Sequence, residues 1–127
     1  MNISDNCINW FEIPVENMDR AKQFYQRIFG IEMNEQTIMG MQMAFFPSEH
    51  GNGKVGGALV KSDLHKSNTE GVLVYLNANP DVSLVLERIE EEGGVVLMYK
   101  TMLTSEAGFM AIFLDTEGNR IALHSHY

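Results

Sequence analysis

At 127 residues the chain is long enough for one domain with a single core. Nine Lys and Arg against seventeen Asp and Glu give a net charge of −8, and the basic residues are scattered, which argues against nucleic acid and anionic membrane as partners. No apolar run approaches the ~20 residues of a membrane helix, the opening MNISDNCINW has neither a basic flank nor an apolar signal core, and the one cysteine, Cys7, cannot form an intrachain disulfide, so a cytoplasmic location is expected.

The first expected strand is INWFEIPV, which puts Ile8, Trp10 and Glu12 on one face and Phe11, Ile13 and Val15 on the other. Cys7 is expected in or beside it as a small hydrophobe. Pro14 points to a strand edge or end. ENMDRAKQFYQRIFG then reads as a helix, with Asn17 as N-cap, an apolar stripe of Met18, Ala21, Tyr25 and Ile28, and Gly30 as the C′ residue. Two strands follow, IEMNEQTI and MQMAFFP, turning near Met39 and Gly40. Met39, Met41 and Met43 alternate and so share a face, expected to be core. The loop SEHGNGK, which lacks the spacing of a phosphate-binding loop and carries His50, leads to the strand VGGALVK.

The same order then recurs. GVLVYLNA is a strand and NPDVSLVLERIEEEGG a helix, with Pro80 in its first turn, Val82, Val85, Leu86 and Ile89 buried, and Gly93 or Gly94 as the stop. VVLMYKTM, FMAIFLD and IALHSH supply three more strands, the last two joined by the turn DTEGN. Met18 and Val82 differ by 64 positions, as do Ala58 and Ala122, whereas Trp10 and Leu73 differ by 63. The chain is therefore an internal repeat, an α+β domain over residues 1–127. Its β-α-β-β-β modules span about 5–61 and 71–126, with a linker at 62–70, and their open sheet faces are expected to form a concave cleft.

The stretch FEIPVENMDRAKQFYQRIFG, the strand GGALV and the segment FLDTEGNRIALHS resemble the vicinal oxygen chelate superfamily, which includes glyoxalases, bleomycin-resistance proteins and extradiol dioxygenases. The resemblance implies paired modules, often in dimers. It also implies, in metal-using members, four His, Glu or Gln ligands drawn from the first and last strand of each half. Matched residue by residue, those positions are Trp10, Ala58, Leu73 and Ala122, none of which offers a lone pair to a divalent ion. No metal or other cofactor is therefore expected.

Trp10, Glu12, Tyr75, Asn77 and His124 remain as the expected cleft residues. Their mixture of flat aromatic surface and few polar groups suits a small molecule, and an aromatic face beside a carboxylate suits a cation. The first reading is a metal-free binding protein of the bleomycin-resistance type, homodimeric because each half leaves one sheet face bare. The second is a glyoxalase-like lyase or isomerase whose catalytic groups have moved to Glu12 and His124. His126 shares a strand face with His124 but is expected to fray at the chain end. A catalytic dyad of Asp63 and His65 in the linker is not expected.

Overall fold

The computed structural model describes residues 1–49, 51 and 53–127; His50 of the SEHGNGK loop lies outside the described residues. The strands are β1 (Trp10–Pro14), β2 (Asn34–Ile38), β3 (Met41–Phe45), β4 (Gly56–Lys61), β5 (Tyr75–Asn77), β6 (Val95–Thr104), β7 (Gly108–Leu114) and β8 (Arg120–Ser125). The helices are α1 (Met18–Phe29) and α2 (Val82–Ile89). Sheet one runs β1-β4-β3-β2 and sheet two β5-β8-β7-β6. In each, the first strand pairs parallel to the last and the other neighbours are antiparallel. The tandem α+β reading therefore stands.

Local chemistry fixes α1. The Asn17 side chain accepts from the Arg20 N–H, and Gly30 closes the helix in the left-handed region with φ 64°. The expected stripe is buried, joined by Phe24. The α2 helix is shorter than expected. Asp81 is its N-cap and accepts from the Ser83 N–H, so Pro80 stands before the helix rather than in its first turn. The helix proper ends at Ile89, and a further turn carries the chain on to Gly94, whose N–H bonds the Ile89 carbonyl.

Between β2 and β3, Met39 (φ 53°) and Gly40 (φ 77°) form a two-residue hairpin with both central residues at positive φ. Gly57 is required for close approach: a Cβ there would lie 2.3 Å from the Phe11 ring. The expected strand GVLVYLNA shrinks to Tyr75–Asn77, bracketed by bonds from the Ala122 N–H to the Val74 carbonyl and from the Ala78 N–H to the His124 carbonyl. β8 begins at Arg120 and offers no partner to the start of that apolar run, whose Val72 is almost fully exposed. Cys7 lies beside the first strand, just ahead of β1, but is exposed rather than packed as a small hydrophobe.

One core serves both halves. Phe24, Tyr25, Ile28, Val82 and Ile89 of the helices meet Ile13, Leu59, Phe113 and Leu123 of the sheets, and α1 touches α2. α1 thus packs on the inner face of sheet one and α2 on that of sheet two, the helices meet between them, and the outer faces are left open. Met43, Ala58 and Val60, with Met41 and Phe45, form a separate small cluster on the open face of sheet one. The methionine stripe therefore lies outside the shared core, and Met39 is 91% exposed at the hairpin tip. β6, an edge strand, slips register three times against β7, between Val96 and Met98, Met98 and Thr101, and Met102 and Thr104. Among the described residues no helix is long and apolar enough to cross a membrane.

Candidate functional site

On β1 the alternation places Phe11 and Ile13 toward the helices and Trp10 and Glu12 on the open face. Glu12 is the hub of a polar chain there. Trp10 Nε1–H donates to Glu12 Oε2 at 3.2 Å, and His65 Nε2 stands 2.8 Å from Glu12 Oε1. His65 Nδ1 is in turn 2.7 Å from the Ser62 hydroxyl. With Glu12 ionised and His65 neutral, Nε2 carries the ring proton and Nδ1 accepts from Ser62; with His65 protonated, Ser62 accepts instead. The linker is thereby tied across the open face. Trp10 also leans on Phe45 at 6.0 Å between ring centroids, and is 43% exposed.

The open face of sheet two carries the other expected residues. Tyr75 registers against Ala122 and Asn77 against His124. Asn77 Oδ1 accepts from the backbone and side-chain N–H groups of Asn79, and His124 Nε2 lies 2.6 Å from the Ala107 carbonyl oxygen. His126 stands edge-on to His124 at 5.3 Å, and its backbone N–H donates to Asn79 Oδ1, so the strand end is tied down through its backbone.

Within one chain the expected residues thus fall into two groups. Glu12 belongs to sheet one and bonds Trp10 and His65; His124 belongs to sheet two and bonds Ala107. A pairing of Glu12 with His124, which the second reading would use, does not form in the single chain. Sequence reasoning missed the partner that Glu12 does take, because His65 lies 53 positions away on the linker.

A divalent ion needs imidazole, carboxylate or thiolate donors converging on one point. The matched positions Trp10, Ala58, Leu73 and Ala122 supply none. Among the described residues no group of three or more His, Cys, Asp and Glu side chains is placed to hold a metal. The residues present do not fit the metal of the metal-using members.

Two further regions flank the helix pair. At the first, the β7–β8 turn docks on the other module. Glu117, whose side chain is fully buried, accepts from the backbone N–H groups of Glu16 and Asn17 at 2.8 and 2.6 Å and from Arg20 Nε at 2.7 Å. Asp115 accepts from the Tyr25 hydroxyl at 2.7 Å, and Asn119 Nδ2 donates to the Pro14 carbonyl at 2.6 Å. Burial pushes the Asp115 carboxyl up, against the hydrogen bonds it accepts from Asn119, Tyr25 and Glu117. Glu117, two residues on, feels burial in the same sense. Its bonds from Arg20, the Asn17 N–H, Thr116 and the Glu16 N–H outweigh that and hold it below the usual range. Burial, reinforced by Asp115, keeps the Tyr25 phenol protonated well above its ordinary titration.

At the second region, between α2, β5 and the first module, there is instead a cavity of about 800 Å³ lined by apolar side chains, among them Phe11, Phe29, Phe46, Leu73, Leu84 and Val85. Tyr75 and Asn77 reach it; Trp10, Glu12 and His124 do not.

Two β-α-β-β-β modules with open outer faces define the class. The family model described as Glyoxalase/Bleomycin resistance protein/Dioxygenase superfamily matches residues 7–123, and the chain belongs to that superfamily. Among solved structures it is similar to a mutant of glyoxalase I from Zea mays, with a TM-score of 0.68 and 16% identity over 92% of this chain and 46% of that one. The chain thus spans about half the length of the maize enzyme. It is similar to the trypanothione-dependent glyoxalase I of Leishmania major, with a TM-score of 0.69 and 16% identity over 96% and 88% of the two chains. An antibiotic-binding protein from Streptomyces sp. CB03234 gives a TM-score of 0.62 and 22% identity over 98% of both chains. These likenesses establish the fold. No curated protein matches the chain in sequence.

Proposed function

We propose that this chain is a small-molecule-binding member of the superfamily that works without a metal. The observation that carries the reading is the polar chain of Trp10, Glu12, His65 and Ser62 on the face where matched metal ligands would stand. An indole beside an ionised carboxylate recognises a flat organic cation by stacking and charge. Glu12 has acceptor capacity left, since a carboxylate offers about four lone-pair sites and two are taken. The antibiotic-binding neighbour supports binding without chemistry.

Two of the five expected residues lie on the open face of sheet one and three on that of sheet two, so the complete site is assembled by a homodimer in the cytoplasm, sheet one of one protomer meeting sheet two of its partner. A thermal-shift screen of divalent metals, flat organic cations and an antibiotic library tests the reading. A cation should raise the melting temperature and metals should not, because only ligands of the native state stabilise it. Stoichiometric Zn, Ni, Mn or Fe in the purified protein would overturn the metal-free reading. Light scattering should give twice the 14.3 kDa chain mass; a monomer mass at micromolar concentration would refute the assembly.

A further inference from the structure

The geometry points to a second ligand site, on the helix side of β1 and sharing only Tyr75 and Asn77 with the open face of sheet two: the cavity beside α2 takes an organic monoanion with an apolar body. On β1, Phe11 lines this cavity while Trp10 and Glu12 face the other way, so the two sites lie on opposite sides of one strand. At about 800 Å³ it falls within the ~300–1,000 Å³ of small-molecule sites, and its walls are largely apolar, as such sites are. Ile8, Val55, Val72, Tyr75 and Leu84 around it are all more than a third exposed and would be covered by an occupant.

Charge chooses the occupant. Two ionisable side chains of opposite sign line the cavity, Asp81 and Arg88. Asp81 is already committed: it caps α2 through the Ser83 N–H and accepts from Lys100 Nζ at 3.0 Å. Arg88 has one bond, from Nη1 to the Ile28 carbonyl at 3.2 Å, and no carboxylate of the described residues pairs with it. Its remaining guanidinium donors form a fork suited to a carboxylate or sulfonate. The local uncompensated charge is therefore positive, although the chain as a whole carries −8. An apolar cavity with one free guanidinium fits a carboxylate or sulfonate head on a hydrocarbon or aromatic body.

The test titrates the purified full chain with 8-anilinonaphthalene-1-sulfonate, followed by fluorescence, and then displaces it with decanoate, decanol and decylamine below their micelle concentrations. We expect one dye per chain, displacement by decanoate, and at least tenfold weaker displacement by decylamine. Arg88→Gln should weaken dye and decanoate binding about tenfold, which is ~1.4 kcal/mol. Leu84→Glu, which places a carboxylate at an exposed lining position, should abolish it. Arg27→Gln, on an exposed arginine paired with Glu92 in the turn after α2, should change nothing. Equal displacement by all three amphiphiles, or equal binding by Arg88→Gln and wild type, would overturn the proposal. So would light scattering showing that Leu84→Glu splits a dimer whose wild type binds no dye, because the cavity would then be a subunit contact. A failed cation screen leaves these outcomes untouched, so the two proposals fail separately.

Discussion

The two regions beside the helix pair are related by the internal repeat, yet one is sealed and the other hollow. At the sealed one, ten positions separate Ile112 of β7 from its register partner Ala122, and the intervening turn drives Asp115, Glu117 and Asn119 into the first module. At the hollow one, thirteen positions separate Phe45 of β3 from Ala58, and Pro47 and Val55 of the longer loop line a cavity. The helix starts explain why both arrangements are tolerated. α1 also has its own cap in Asn17, but the two N–H groups just ahead of the helix, those of Glu16 and Asn17, take their acceptor from across the interface, Glu117. α2 finds its acceptors nearer at hand, in its own cap Asp81 and in the Ser125 hydroxyl at the end of β8, 2.9 Å from the Val82 N–H. With those donors satisfied, no loop has to enter. One copy of the motif is thus closed by hydrogen bonds, and the other keeps space.

The contrast is broken most severely by Glu117→Ala. It strands the part-buried Glu16 and Asn17 N–H groups and unpairs Arg20, which is half in solvent. The expected cost is about 2–4 kcal/mol in denaturant unfolding; a loss under half a kcal/mol would mean that the turn does not hold the modules together.

Tyr25→Phe should cost less, ~1–1.5 kcal/mol, because Asp115 Oδ2 keeps its bond from Asn119. The same phenol gives an alkaline signature. Its folded pKa is raised, so the stability it contributes is intact below its unfolded value near 10 and is lost as pH rises through the folded one. Its phenolate absorbance should therefore appear only together with unfolding.

The two turn carboxylates sharpen the comparison in acid. Glu117 is depressed when folded, so its contribution is present above its unfolded value of 4.5 and fades as pH falls through the folded one. Asp115 is raised, so its contribution has the opposite sense, present below 3.8 and lost as pH climbs through its folded value. Melting temperatures of wild type should fall below pH 4.5. The fall should steepen in Asp115→Asn and flatten in Glu117→Gln. Parallel curves for all three would refute the assignment.

The smallest effect is expected on the open face. Glu12→Gln removes the charge from a part-exposed pair with His65, and thermal stability should change by no more than ~0.5 kcal/mol. Affinity for a flat cation should nevertheless fall about tenfold, ~1.4 kcal/mol. Unfolding of this variant would show that the Glu12–His65 tie is structural and would remove Glu12 from the binding face.

The caps at Asn17 and Gly30, the helical stripes and the repeat offset were legible in the sequence because each is written in neighbouring residues. The length of β5 was not, since a continuous apolar run has no period and only the position of β8 decides where pairing stops. DTEGN reads locally as an ordinary solvated turn. Nothing within five residues says that its carboxylates will meet Tyr25 and Arg20, some ninety positions earlier. The contrast with the glycine-rich loop of the first half was the available signal, and only a comparison of the two repeats exposes it. Trp10 and Glu12 were correctly placed on one face by alternation, but His65 reaches that face through a linker whose path has no periodicity to read.

The three register slips of β6 also have a colloidal consequence. This strand is ten residues long and lies at a sheet edge, and it leaves Leu97, Tyr99 and Met102 more than half exposed. A straight strand of that composition would template pairing with other chains and seed aggregates. Each slip changes the hydrogen-bonding rhythm and twists the edge. An incoming regular strand therefore falls out of step within a few residues, and an apolar edge can stay in solution at high protein concentration.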